Sequence, residues 1–204
     1  SGTKQLQEYL DLTTSYHDED NYIALRDLAQ NLYYLYKLTI KEKFSDEIRT
    51  YAVQFLGTIL DRLGWDSKKH EKHTDALLRS FVITALGKLG DENVLAESKK
   101  RFAKFLKNKN SLAADLQEPV FALIAWQGDK KIHSKLLSLY KKATLQEEKL
   151  RYLSAMCNFK QKNLLLKTLE FSLTPAVRSQ NIRVPIMSIS ANIHGKDILW
   201  PWLK

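Results

Sequence analysis

The 204-residue chain contains little cysteine, glycine or proline, and each shortage excludes a class of protein. The single cysteine, Cys157, cannot form an internal disulfide, so a disulfide-stapled scaffold is excluded and a reducing compartment is favoured. Seven glycines and four prolines are too few for a turn-rich β fold and favour long helices. No apolar run approaches the roughly 20 residues of a membrane-spanning helix, and the first residues show no secretory signal. We therefore expect a cytoplasmic protein with no membrane partner.

Acidic residues are also scarce, since 23 Asp and Glu stand against 32 Lys and Arg, for a net charge of +9. Such a basic chain can bind nucleic acid or another acidic partner. The lysines occur mostly on polar helix faces and near helix ends, as at positions 99–100, 130–131 and 141–142, where solvation is the usual outcome. There is no RNP-type aromatic motif and no GXXG loop, so we expect no nucleic-acid partner.

Apolar residues recur at intervals of three and four along most of the chain, without β alternation, which predicts an all-α fold. The clearest segment is Leu63–Leu106. Its first apolar stripe ends at Gly90, and a second stripe follows Asp91, a residue with N-cap chemistry, so the segment is predicted to form an αα-hairpin. A second Gly-Asp pair at 128–129 predicts another helix beginning at Lys130.

Prolines help to place two further helix boundaries. Because proline is best tolerated in a first turn, Pro119 predicts a helix that begins near Glu118. Thr174 has N-cap chemistry, and Pro185 is expected to interrupt the helix that follows it. About ten helices result, in pairs spaced roughly 30–45 residues apart, which is typical of HEAT and armadillo arrays. We therefore predict a single domain, residues 1–204, built as a right-handed superhelical array of paired antiparallel helices.

Six short motifs occur in order along nearly the whole chain. They lie at Tyr9–Leu12, Leu77–Asp91, Asp115–Phe121, Glu148–Arg151, Val177–Asn181 and Asn192–Trp200. Together they resemble the C-terminal helical domain of the gluzincin zinc aminopeptidases, the family of the alanyl and puromycin-sensitive aminopeptidases and the archaeal tricorn-interacting factors. Three positions depart from the family pattern, because Gln117 replaces an arginine, Ile193 replaces a proline, and Pro201 stands where a helix normally continues.

The resemblance implies a non-catalytic cap of a zinc aminopeptidase that removes N-terminal residues from peptides, with the catalytic domain and peptides as partners. In this family zinc is held outside the cap by a His-Glu-x-x-His motif and a distant glutamate. The nearest imitation here, His70–His73, has its histidines three apart instead of the four that a helical zinc site needs, so we expect neither a metal nor a catalytic residue in this chain. Residues 1–3 look like a cloning remnant, and relatives continue with further helices, so we expect an excised piece of a larger enzyme.

The resemblance also implies three substrate-binding residues. Gln180 matches a glutamine that reaches the pocket for the substrate's first side chain, although a polar surface residue at a helix start would look the same. Tyr36 and Lys37 match a pair that helps to hold the peptide's carboxylate, and the alternative is a half-buried tyrosine beside a solvated lysine. For Arg79 and Arg151, which lie beside apolar stripes, we expect interhelical hydrogen bonds to carbonyls or a carboxylate.

Two other hypotheses stay open at this point. A HEAT-like scaffold that binds an acidic protein would be favoured by a long exposed groove of apolar and aromatic residues. A HEAT-like nucleic-acid binder would require lysines and arginines to converge on the concave face, and its binding would fall steeply with salt.

Overall fold

The computed structural model describes residues 6–16, 19 and 21–204, and all regular structure in these residues is helical. The prediction of an all-α fold is confirmed. The α-helices are α1 (Leu6–Thr14), α2 (Tyr22–Thr39), α3 (Ser45–Leu63), α4 (His73–Leu89), α5 (Glu92–Lys107), α6 (Ala114–Trp126), α7 (Lys130–Lys142), α8 (Gln146–Met156), α9 (Lys162–Ser172), α10 (Arg183–Ala191) and α11 (Lys196–Leu203). Two short 3-10 helices lie at Lys109–Ser111 and Ser179–Asn181. The chain divides into two compact units, unit 1 ending at Asp91 and unit 2 beginning at Glu92, so the single superhelical array stays a prediction.

Unit 1 is built around α2, α3 and α4, each of which packs against the other two. Its core consists of aliphatic side chains that recur at helical spacing, among them Leu28, Leu32, Ile48, Leu56, Ile59, Leu78, Val82 and Leu86. The side chain of Asn21 caps α2 by accepting the backbone N–H groups of Ile23 and Ala24. The phenol of Tyr51 on α3 donates to the Leu10 carbonyl, 2.9 Å away, and so attaches α1 to this core.

Unit 2 is centred on α6, whose residues from Val120 to Trp126 are all buried. Helix α6 packs against α5 and α8, while α8 also packs against α7 and α10. Phe121 lies in an aromatic cluster with its ring centroid 4.9 Å from that of Phe105, 5.3 Å from Tyr152 and 5.8 Å from Phe102. Burial, with a smaller contribution from Glu148, raises the pKa of Tyr152 to about 12, so this phenol stays neutral.

Gly90 ends α4 as the sequence predicts. Its φ of 94° lies in the left-handed region that favours glycine, and its N–H donates to the carbonyls of Leu86 and Gly87. Helix α5 then begins at Glu92. The two helices predicted in this segment are confirmed. Because α4 belongs to unit 1 and α5 to unit 2, the antiparallel packing of these two helices stays a prediction.

Helix α6 begins at Ala114, so the predicted start near Glu118 is wrong. Pro119 lies inside the helix, where it forgoes the one hydrogen bond that its missing N–H would have donated to Asp115. The turn before the proline nevertheless buries Leu116 in the core of unit 2. Tertiary packing therefore stabilises a helix that begins earlier than the position of the proline alone would predict.

Helix α10 begins at Arg183, and Pro185 occupies its first turn instead of interrupting a longer helix. Proline is well suited to that position because a first-turn N–H has no partner within the helix. The predicted helix start at Thr174 is therefore wrong. The residues between α9 and α10 form turns and the 3-10 helix Ser179–Asn181.

Candidate functional site

Gln180 lies on the 3-10 helix Ser179–Asn181 of unit 2, with its side chain exposed. Among the described residues it has no hydrogen-bond partner. The segment that carries it is nevertheless fixed, because Val177 is buried and the Tyr140 phenol donates to the Ala176 carbonyl over 3.0 Å. The structure thus presents a glutamine amide to solvent from an anchored turn.

The neighbouring Asn181 is a feature that the sequence analysis missed. The residue is 7% exposed, and its Nδ2 is buried without a hydrogen-bond partner in the part of the chain that the structure describes. A buried amide donor of this kind is rare, because leaving it unpaired costs about 1–3 kcal/mol. Within the described residues of unit 2, this is the one buried side-chain polar atom without a hydrogen-bond partner, and it lies next to Gln180.

Tyr36 and Lys37 lie near the end of α2 in unit 1, and both are half-buried. The ammonium of Lys37 lies 5.8 Å from the ring centroid of Tyr33, within the range of a cation–π contact. Burial, and secondly the nearby phenol of Tyr36, raise the pKa of Tyr33 to about 12. Tyr36 therefore matches the half-buried tyrosine of the alternative interpretation, whereas Lys37 rests against an aromatic ring instead of being fully solvated.

Arg79 forms the hydrogen bonds that its position beside an apolar stripe predicts. Its guanidinium is 0% exposed and donates to the carbonyls of Gly64 (2.8 Å) and Leu63 (3.4 Å) and to both carboxylate oxygens of Glu71. The hydrogen bonds from Arg79, with a further bond from the Lys68 N–H, hold the pKa of Glu71 below its usual value. The glutamate of the His70–His73 segment thus neutralises a buried cation.

In the described ranges no group of three or more His, Cys, Asp and Glu side chains is placed so that it could hold a metal ion. None of the helices described here is both long enough and apolar enough to cross a bilayer.

The sequence model of the ERAP1-like C-terminal domain matches residues 1–204. The chain belongs to this family. It is 29% identical to "Aminopeptidase M1-A" of Oryza sativa subsp. japonica over 212 residues, which cover 100% of this chain and 24% of that protein. It is 28% identical to "Aminopeptidase M1" of Arabidopsis thaliana over 208 residues, which cover 98% of this chain and 23% of that protein. It is 23% identical to "Alanine/arginine aminopeptidase" of Saccharomyces cerevisiae over 207 residues, which cover 100% of this chain and 24% of that protein. The chain therefore spans about a quarter of the length of the curated relatives it matches.

Several motif residues of this ERAP1-like domain have structural roles. Arg151 on α8 donates to the Gln117 side-chain oxygen on α6 over 2.8 Å, so the expected interhelical bond is present but its acceptor is a side-chain amide. Asn192 is buried, and its Nδ2 donates to the carbonyls of Cys157 and Phe159, each 3.0 Å away. These bonds tie the turn after α10 to the turn after α8.

Proposed function

We propose that this ERAP1-like domain is the non-catalytic C-terminal cap of a zinc metallo-aminopeptidase that removes N-terminal residues from peptides. The observation that carries the proposal is the match of the family model to the whole chain, together with relatives named aminopeptidases of which the chain covers about a quarter. In this proposal the zinc ion and the catalytic residues belong to a different part of the parent protein. The cap, in the cytoplasm, encloses the substrate cavity and controls the access of peptides to it.

Three side chains of the cap are proposed to contact the peptide. Gln180 is exposed on an anchored turn, so its amide can accept or donate a hydrogen bond near the substrate's first side chain. Lys37 offers an ammonium and Tyr36 a phenol on the same stretch of α2, and both groups donate hydrogen bonds to a carboxylate. These contacts would make the enzyme sensitive to the first residue and to the free carboxyl terminus of a peptide.

The first test is reconstitution with an aminoacyl-coumarin substrate and added zinc. The chain alone should show no turnover, and mixing it with the separately expressed catalytic domain of its parent should change the rate or the preferred peptide length. Chelator-sensitive turnover by the chain alone would contradict the proposal. No effect on mixing would contradict the capping role.

The second test uses matched variants in the reconstituted enzyme. Lys37→Met should reduce the preference for peptides with a free carboxylate over their amidated forms, whereas Lys41→Met, an exposed lysine just beyond α2, should not. Gln180→Ala should change the selectivity for the first residue, and Gln54→Ala, an exposed glutamine of α3, should not. Equal effects of a variant and its control would refute the assignment of that residue.

A further inference from the structure

A cavity of about 350 Å³ lies in unit 1 where the end of α3, the loop of residues 64–72 and the start of α4 meet. Four cationic side chains line it, from Arg62, Lys68, Lys69 and Lys72, together with two carboxylates, from Glu71 and Asp75. We propose that this cavity binds a small polyanion of the phosphate class. The inference does not depend on the capping role.

The charges of the lining are unbalanced in favour of an anion. The carboxylate of Glu71 is already engaged by the buried guanidinium of Arg79, so of the two carboxylates that line the cavity only Asp75 is left to balance the four lining cations. In the described part of the chain, the side-chain ammonium groups of Lys69 and Lys72 have neither a hydrogen-bond partner nor a salt-bridge partner. Both ammonium groups line the cavity and can therefore bind an anion without breaking an existing contact.

The other two cations are held in place by the backbone and still have donors to offer. Lys68 donates from its Nζ to the Arg62 carbonyl over 2.6 Å, and Arg62 donates from Nη1 to the Glu19 carbonyl, also over 2.6 Å. A lysine ammonium has three N–H donors and a guanidinium has five, so each retains donors for a ligand. Both side chains are therefore oriented by a hydrogen bond and still have N–H donors available for a ligand.

Hydrogen bonds from the Arg79 side chain on α4 hold the loop that carries these groups. Its bonds to the carbonyls of Leu63 and Gly64 and to the Glu71 carboxylate connect both ends of the loop to α4. The first turn of α4 faces the same cavity and adds the positive end of the helix dipole to the field of the side chains. The cations carry the proposal, and the helix end reinforces it.

The size and lining of the cavity narrow the class of ligand. Its volume lies at the lower end of the roughly 300–1,000 Å³ that small-molecule sites occupy, which favours a small ligand over a macromolecule. The apolar part of the lining is Leu63 and Leu78, with no aromatic ring on which a nucleobase could stack. Several cations around one small space suit the clustered oxygens and multiple charges of a phosphate better than a single carboxylate.

The probe is sodium pyrophosphate, titrated calorimetrically into the 204-residue chain at a constant ionic strength set with sodium chloride. We expect saturable binding at one site, tighter than the binding of citrate. A Lys69→Ala, Lys72→Ala double variant should bind pyrophosphate about tenfold more weakly or worse, because two ammonium contacts to a multiply charged anion are lost. The Lys69→Arg, Lys72→Arg variant keeps the charge and should retain binding.

The matched control is Lys141→Ala, Lys142→Ala, which removes the same charge from an exposed lysine pair at the end of α7. It should leave the affinity for pyrophosphate nearly unchanged. Equal losses in the two alanine variants would show diffuse attraction to a basic chain and would overturn the proposal. Absence of saturable binding to the wild-type chain, or tighter binding of citrate than of pyrophosphate, would overturn it as well.

Discussion

Replacing Glu71 by glutamine should strongly destabilise unit 1. Arg79 is completely buried, and the Glu71 side chain that balances its charge is 10% exposed. The Glu71→Gln variant keeps the shape of the side chain and one oxygen acceptor but removes the negative charge. The guanidinium would then be left among neutral acceptors, the amide and the carbonyls of Leu63 and Gly64.

The size of the effect follows from the cost of an uncompensated buried charge. Removing one partner of a buried ion pair costs about 3–5 kcal/mol. Because Glu71 lies at the edge of the core and glutamine still accepts one hydrogen bond, we expect a loss of about 2–4 kcal/mol in the free energy of unfolding. The assay is urea unfolding followed by far-UV circular dichroism.

The matched control is Glu97→Gln on α5. This carboxylate is 26% exposed and pairs with Lys100 and Arg101 on the surface of the same helix. Surface pairs of this kind contribute about 1 kcal/mol or less, so this variant should lose little stability. Similar small losses in both variants would refute the inference that Glu71 compensates a buried cation.

The pH dependence gives a second readout of the same pair. Because Arg79 lowers the pKa of Glu71 in the folded state, the stabilisation is fully present above the unfolded value of 4.5 and is lost as the pH falls through the folded pKa. The stability advantage of the wild-type chain over Glu71→Gln should therefore shrink below pH 4.5. An advantage independent of pH would mean that packing, and not charge, causes the loss.

Three further predictions concern other interior groups. Burial lowers the pKa of His133, so stability should fall as the pH drops below the unfolded value of 6.5, and the His133→Gln variant should lose less in urea unfolding over that range. Gly128→Ala would place a methyl group 2.5 Å from a backbone carbonyl oxygen, so it should lower the free energy of unfolding by about 1–3 kcal/mol, measured by thermal denaturation. Its control, Gly57→Ala, adds a methyl group in open space within α3 and should raise the free energy of unfolding by about 0.5–1 kcal/mol. Asn192→Ala would leave two carbonyls without their donor, so it should lower the free energy of unfolding in urea by about 1–3 kcal/mol. The control is Asn163→Ala, at an exposed residue of α9, and an equal or smaller loss in Asn192→Ala than in this control would contradict the role of Asn192.

Helix positions were predictable wherever short-range chemistry determines them. The left-handed conformation at Gly90 requires a residue without a Cβ atom, so the end of α4 is encoded at one position. The carboxylate of Asp129 accepts the N–H groups of Lys131 and Ile132, so the start of α7 is encoded within four residues. Both boundaries agree with the sequence analysis because no distant contact is needed to produce them.

The two wrong helix starts and the missed features depend on contacts distant in sequence. The turn before Pro119 is helical and buries Leu116 in the core of unit 2, whereas the preference of proline for a first turn pointed to a later start. The choice of Glu71 as the partner of Arg79 depends on the path of the loop between α3 and α4. The candidate substrate contacts Gln180, Tyr36 and Lys37 were suggested by the resemblance, and composition and periodicity alone would not have selected them.

The polar motif residues divide into two groups that different measurements can separate. Buried donors such as Arg79 and Asn192 satisfy carbonyls at the ends of neighbouring helices, where backbone acceptors have no partner within the helix. Their replacement should therefore lower the free energy of unfolding, and any change in peptide selectivity should follow the loss of folded protein. Gln180 is exposed and has no partner in the described part of the chain, so its replacement can change selectivity while stability stays constant. A Gln180→Ala variant that lost stability as Asn192→Ala does would assign this turn to the scaffold and remove it from the proposed substrate contacts.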